Sequence, residues 1–186
     1  MTAQASLFPV ATAATDTTAV LSPCGRYRYH LRRQWGEGLS VLFIMLNPST
    51  ADATVDDPTI RRCIGFATSW GCGALEVVNL FGLRATDPKQ LFTAADPVGP
   101  DNDRWIEQAA LRHEIIVAGW GSTVADHRTR FPEALRTRDR VVEELIGPRL
   151  CALDLTKGGE PRHPLYLRAD LEPKRLAILR MLRRTP

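Results

Sequence analysis

Six apolar residues, Val41-Leu42-Phe43-Ile44-Met45-Leu46, run without a break and stop at Asn47-Pro48-Ser49. A half-exposed strand alternates apolar and polar side chains. An unbroken run reads instead as a strand buried on both faces, as in a parallel sheet covered by helices on each side. Proline cannot donate to a ladder, so strand pairing ends there. Asn47 therefore stands at the carboxyl end of a buried strand, where open α/β sheets take their ligands. Asn-Pro-Ser is also ordinary turn chemistry, so the position gains weight only from the rest of the chain.

Three further apolar runs repeat the theme. Residues 75–78 end on Asn79, residues 115–118 lead into Gly119-Trp120-Gly121, and residues 150–153 precede a polar loop. That loop, 156–162, leads to His163-Pro164-Leu165-Tyr166. Between the runs lie helical patterns. Asp57-Pro58 supplies an N-cap and a first-turn proline, followed by Ile60, Cys63, Ile64 and Ala67 at helical spacing. A second helix is expected from about 104 to 112, a third from about 133 to 146 and a last one opened by Pro173. Alternating strands and helices imply an α/β fold. The expectation is a three-layer αβα arrangement around a mainly parallel four-stranded sheet, with strands near 41–46, 75–79, 114–118 and 150–154.

At the N-terminal side, Arg26-Tyr27-Arg28-Tyr29-His30-Leu31 alternates, which predicts a strand with one exposed, basic face. Gly36-Glu37-Gly38 then turns the chain back, implying an N-terminal hairpin with the central strand. Residues 1–20 read as a loosely ordered leader, and 21–186 as a single α/β domain.

The chain has 186 residues, a net charge of +3 and a sequence pI near 8.8. That mild excess is compatible with a polyanionic partner. Cys24, Cys63, Cys72 and Cys151 form no CxxC pair and no metal spacing, so they read as reduced thiols of a cytoplasmic protein. No apolar run approaches the ~20 residues of a membrane span. No Lys or Arg precedes Arg26, so the basic start of a signal peptide is not expected. A phosphate loop, a dinucleotide fingerprint and a zinc pattern are missing, and a monomer with no cofactor and no metal is expected.

Right-handed crossovers place the carboxyl ends of the parallel strands on one rim. Asn47, Asn79, Trp120 and the loop before His163 should therefore converge. The order of motifs resembles the uracil-DNA glycosylase superfamily. It runs strand-Asn-Pro at Leu46-Asn47-Pro48-Ser49, strand-Asn-Leu at Val78-Asn79-Leu80, then Gly-Trp-Gly, then His163-Pro164. Over about residues 24–170 the chain is also similar to a bacterial and phage family of unknown function. Its hallmarks here are MLNPSTAD, DDPT with a following Arg pair, NLF with RATDP, GPDND and PRHPLY.

The superfamily resemblance implies roles residue by residue. Asn47, within Pro48-Ser49, would position the attacking water. Since Asn cannot ionise, Asp52, or else Asp56 or Asp57, would supply a base; Asp57 also reads as a plain helix cap. Asn79 would read a base edge, offering donor and acceptor. His163 would support a base oxygen as charge builds. Phe81 and Trp120 are stacking candidates, and Tyr166 belongs to the same substrate-binding set. Arg84, Lys157 and Arg162 suit phosphate contacts. The implied partner is nucleic acid, DNA before RNA, or a nucleotide. The implied activity is cleavage of the N-glycosidic bond of a modified or mismatched base. A non-catalytic nucleic-acid-binding module and an enzyme on free nucleosides or nucleotides are the alternatives.

Overall fold

A computed structural model describes residues 16–49 and 55–184. Asp52 lies outside the described residues, as do residues 1–15 of the expected leader. Residues 16–20 are strand rather than leader.

The strands are β1 (Asp16–Leu21), β2 (Arg28–Gln34), β3 (Ser40–Met45), β4 (Ala74–Asn79), β5 (Ile115–Ala118), β6 (Leu150–Ala152) and β7 (Lys174–Arg175). The helices are α1 (Pro58–Ser69), α2 (Gln90–Thr93), α3 (Asn102–Arg112), α4 (Thr123–Asp126), α5 (Arg138–Ile146) and α6 (Leu176–Arg184). Among the described residues the strands form one seven-stranded sheet in the order β1-β2-β4-β3-β5-β6-β7. The expected four parallel strands are its centre, β4-β3-β5-β6. The sheet is nevertheless mixed and not four-stranded, because β1 and β2 extend one edge and β7 the other, all antiparallel.

Two apolar layers explain the unbroken run in β3. Val41, Phe43 and Met45 face α1, whose Ile60, Cys63, Phe66 and Ala67 pack on them. Leu42 and Ile44 face the other side, covered by Ile106 and Ala109 of α3 and Val142 and Ile146 of α5. Each β3 residue from Val41 to Met45 is buried, and at ~1.5–3 kcal/mol per large apolar side chain this strand anchors both layers.

The expected hairpin between residues 26–31 and the central strand does not form. Residues 31–34 of β2 pair with β4, which lies between β2 and β3. The 35–39 loop crosses the start of β4 at Gly73, where an added Cβ would lie 2.2 Å from the Glu37 carbonyl oxygen. Only glycine admits that crossing. The hairpin partner of β2 is β1.

The basic face of β2 is also not exposed. Arg28 and Arg33 are buried, and Arg33 Nε donates to Asp56 Oδ1 at 2.8 Å. Val20 pairs with His30 but Leu21 with Arg28, so Tyr29 is an extra residue on β2. Such a bulge re-aims side chains. Further on, α5 begins at Arg138, after a separate 3-10 turn at Glu133–Leu135, rather than near 133. The last helix begins at Leu176, because Lys174–Arg175 pair with β6. No helix of the described residues is long and apolar enough to cross a membrane.

Candidate active site

β3 and β5 are parallel neighbours, but the chain leaves them toward opposite faces, α1 after β3 and α5 after β5. This is a topological switch point, and the loops there part to leave a crevice. The crevice is a cleft of about 550 Å³. Asn47, Ser49, Asn79, Trp120, Arg162, His163 and Tyr166 all line it. Pro48, Phe81, Arg84 and Lys157 do not.

Asn47 follows β3 and is held by its own amide. Its Nδ2 donates to Ala85 O at 2.8 Å and to Pro48 O at 3.0 Å. Ala85 N donates back to Pro48 O at 3.0 Å. Both donor hydrogens are spent on backbone, so only Oδ1 is left to offer the cleft, as an acceptor. Pro48 is buried and serves this stitch. Ser49 Oγ donates to Asp57 Oδ2 at 2.9 Å, while Asp57 Oδ1 accepts from Ile60 N at 2.8 Å. Asp57 is thus the helix cap, as its sequence context suggests, and it also lines the cleft beside Ser49.

Asn79 ends β4 and is 2% exposed. Its carbonyl accepts from Asn102 Nδ2 at 2.9 Å, yet its own Nδ2 has no hydrogen-bond partner among the described residues. Trp120 lies two residues beyond β5 and is also 2% exposed. It packs into the apolar layer of α3 and α5, so it presents no open ring face for stacking. Phe81 is further from that role. It is fully buried and stacks on Phe131 with ring centroids 5.4 Å apart.

His163 opens a 3-10 turn, Pro164–Tyr166, and its Nδ1 accepts from Leu165 N at 3.4 Å. That bond assigns the proton of the neutral ring to Nε2, a donor. Burial holds the His163 pKa below the ordinary imidazole value, and the Asp57 carboxylate opposes the shift only in part. Tyr166 is 74% exposed, with its ring 5.7 Å from that of His163. Of the three aromatic candidates, it alone offers a face at the cleft mouth.

The expected phosphate contacts fare unevenly. Arg162 lines the cleft but pairs with Asp154 Oδ2 at 3.0 Å. Arg84 Nη1 donates to Gly25 O at 3.1 Å beside a separate hollow that includes Arg26 and Gln90. Lys157 is exposed on the 156–159 turn. The cation that sequence reasoning missed is Arg28. It is 4% exposed, lines the cleft, and burial pushes its pKa down to about 10 against the pull of Asp57. Strict alternation put Arg28 on an exposed face, and the Tyr29 bulge, invisible in the pattern, turns it to the α1 side.

Gly119 fixes the loop that carries His163. A Cβ there would lie 2.9 Å from Met45 Sδ and 2.9 Å from Pro164 Cδ. Met45 can bend, but the proline ring cannot. Gly119→Ala should therefore lower stability by roughly 1–3 kcal/mol, as overpacking does, and push His163 off the cleft. A thermal melt checks the first effect. A melt identical to the parent's would show that the loop yields freely.

These elements define an α/β protein with an open polar cleft at the carboxyl rim of parallel strands. The chain belongs to the family described as a protein of unknown function (DUF1643), whose model matches residues 28–165. The match begins at Arg28 and runs through the His163-Pro164 turn. Comparison with curated proteins gave no match, and neither did comparison with solved structures.

Proposed function

We propose that the cleft binds a nucleobase and that the protein cleaves N-glycosidic bonds in the manner of a glycosylase-like hydrolase. One observation carries the reading. A water-accepting oxygen (Asn47 Oδ1), an edge-reading amide (Asn79) and a neutral imidazole donor (His163 Nε2) border a single cleft at the switch point. Glycosidic cleavage needs little more than this. Water must be aimed at the sugar carbon, the base gripped, and charge on the departing base met by a fixed donor. The order strand-Asn-Pro, strand-Asn, His-Pro along parallel strands supports a uracil-DNA glycosylase-like architecture for the centre of the sheet. Asp57 is committed to Ser49 and to the helix cap, so among the described residues the water relies on Asn47.

A second reading has its own support. Arg84 and Lys157 lie off the cleft, and Arg162 is paired with Asp154. A rim this thin in unpaired cations suits a free nucleoside or nucleotide as well as a base flipped from DNA. The test is to incubate the protein with modified and mismatched duplexes, and separately with nucleosides and nucleotides. Abasic sites and released base are then measured. Release from neither class would remove the enzyme reading.

For DNA, affinity should fall as salt rises, with a slope of about 0.9 per phosphate neutralised. Lys157→Ala should lower that slope by about one contact and leave nucleotide hydrolysis unchanged. An unaltered slope would take Lys157 off the DNA path.

A further inference from the structure

Two residues that line the cleft each carry a donor with no partner among the described residues. Asn79 Nδ2 and Trp120 Nε1 are both buried, on residues 2% exposed, and neither has a hydrogen-bond partner among the described residues. Buried donors without partners are uncommon, and each calls for a physical reason. Their positions supply one. Asn79 ends β4 and Trp120 follows β5, so they flank the end of β3 from either side, with Asn47 between them. Adjacent strands lie ~4.8 Å apart, so the two residues stand about two strand spacings from one another. One flat heterocycle, hydrogen-bonded at both edges, is of that size.

We infer that Trp120 is a specificity-determining residue, acting through its indole N–H on a second acceptor of the ligand that Asn79 holds. The inference rests on the base-binding reading above and extends it. It replaces stacking by a directional contact, which the burial of the ring requires. The paired donors select a ligand that presents two acceptor atoms, such as ring oxo groups. They discriminate against one that presents an amino group to Trp120, because a donor would then face a donor. Asn79 can turn its amide to suit either ligand edge. Trp120 cannot, since indole only donates, so the discrimination resides mainly there.

The experiment is a titration of ¹⁵N-labelled protein with free uracil, hypoxanthine, cytosine and adenine, following side-chain N–H signals. The chain has four tryptophans, and the Trp120 indole signal is identified by its loss in W120F. An oxo base should shift that signal and slow its hydrogen exchange. W120F should bind the oxo base roughly tenfold more weakly, the worth of about one hydrogen bond, with amino-base binding unchanged. Should W120F fail to fold, the Trp120 signal is assigned by elimination, from the indole signals lost in W35F, W70F and W105F, and its shift in the unaltered protein decides. If an oxo base moves the Asn79 amide but leaves the Trp120 indole unmoved, the role of Trp120 is overturned and base binding stands. If no base moves any cleft signal, base binding itself is overturned and the inference falls with it.

Discussion

Under the proposed glycosidic cleavage, Asn47→Ala is expected to reduce the reaction to background while base binding in the cleft persists. The side chain's two N–H donors are tied to Ala85 O and Pro48 O, so its one free contribution is the acceptor Oδ1. A group that aims water at the sugar acts mainly in the transition state, so the loss should fall on kcat and spare KM. The alanine also strips a donor from the Ala85 carbonyl. That costs about 1–3 kcal/mol if the carbonyl stays buried, and a melting curve must accompany the kinetics. Cleavage at the parent's rate would reduce Asn47 to a turn residue.

Asn47→Asp separates the two contributions. From sequence alone, an ionisable group at this strand end should speed the reaction where water activation is limiting, with burial opposing its ionisation. The hydrogen bonds reverse that expectation. An ionised Asp would set a carboxylate oxygen against two backbone carbonyls, with no proton to share. The neutral acid is then favoured, as for any carboxyl placed among acceptors. The Asp variant should therefore be slower than the parent at neutral pH and less stable, with stability improving as pH falls. A faster Asp variant would mean that the Ala85 and Pro48 contacts are dispensable.

The same contrast shows what the sequence made legible. The run 41–46 declared a strand buried on both faces, and each neighbouring apolar run closes on a polar residue at the same rim. That placed Asn47, Asn79 and His163 around one cleft. Events that depend on a distant backbone were not legible. β4 enters between β2 and β3 because Gly73 lets the 35–39 loop cross it, and nothing near residue 36 encodes that. The Tyr29 bulge moves Arg28 from an exposed face to the cleft wall, and periodicity cannot register one extra residue. Phe81 lies two residues past Asn79. There the backbone still bonds to the β3 end, Leu80 N to Met45 O at 2.8 Å and Phe81 N to Leu46 O at 3.0 Å. The chain stays in the core for those residues, so an aromatic beside a site residue becomes packing. Trp120 shows the opposite case. Its ring packs into the core rather than stacking, yet its indole N–H has no partner among the described residues.

His163 carries the second large effect. His163→Ala should slow cleavage by on the order of 10²–10³, the loss expected for one oxyanion-type donor. His163→Asn, which keeps an N–H donor, should recover part of it. The pH dependence follows from the neutral tautomer. Nδ1 accepts from Leu165 N, Nε2 carries the proton, and burial depresses the ring's pKa below the ordinary imidazole value. Protonation would put a hydrogen on Nδ1 against the Leu165 N–H and charge a ring that the fold keeps largely from water. The unfolded chain takes up that proton first, so stability from the neutral ring is complete above the ordinary imidazole value and declines as pH falls below it. Activity should be level from about pH 7 upward and drop on the acid side as the ring charges and the loop loosens. In His163→Ala that acid limb should vanish from the rate profile and shrink in the melting profile, where His113, also held below the ordinary imidazole value by burial, keeps its share. If the limb persists in the rate profile, a group other than His163 titrates in the reaction and the role given to His163 is wrong. If the limb runs the other way, with activity rising as the ring is protonated, the leaving base is met by a cation, and the neutral-donor mechanism is wrong.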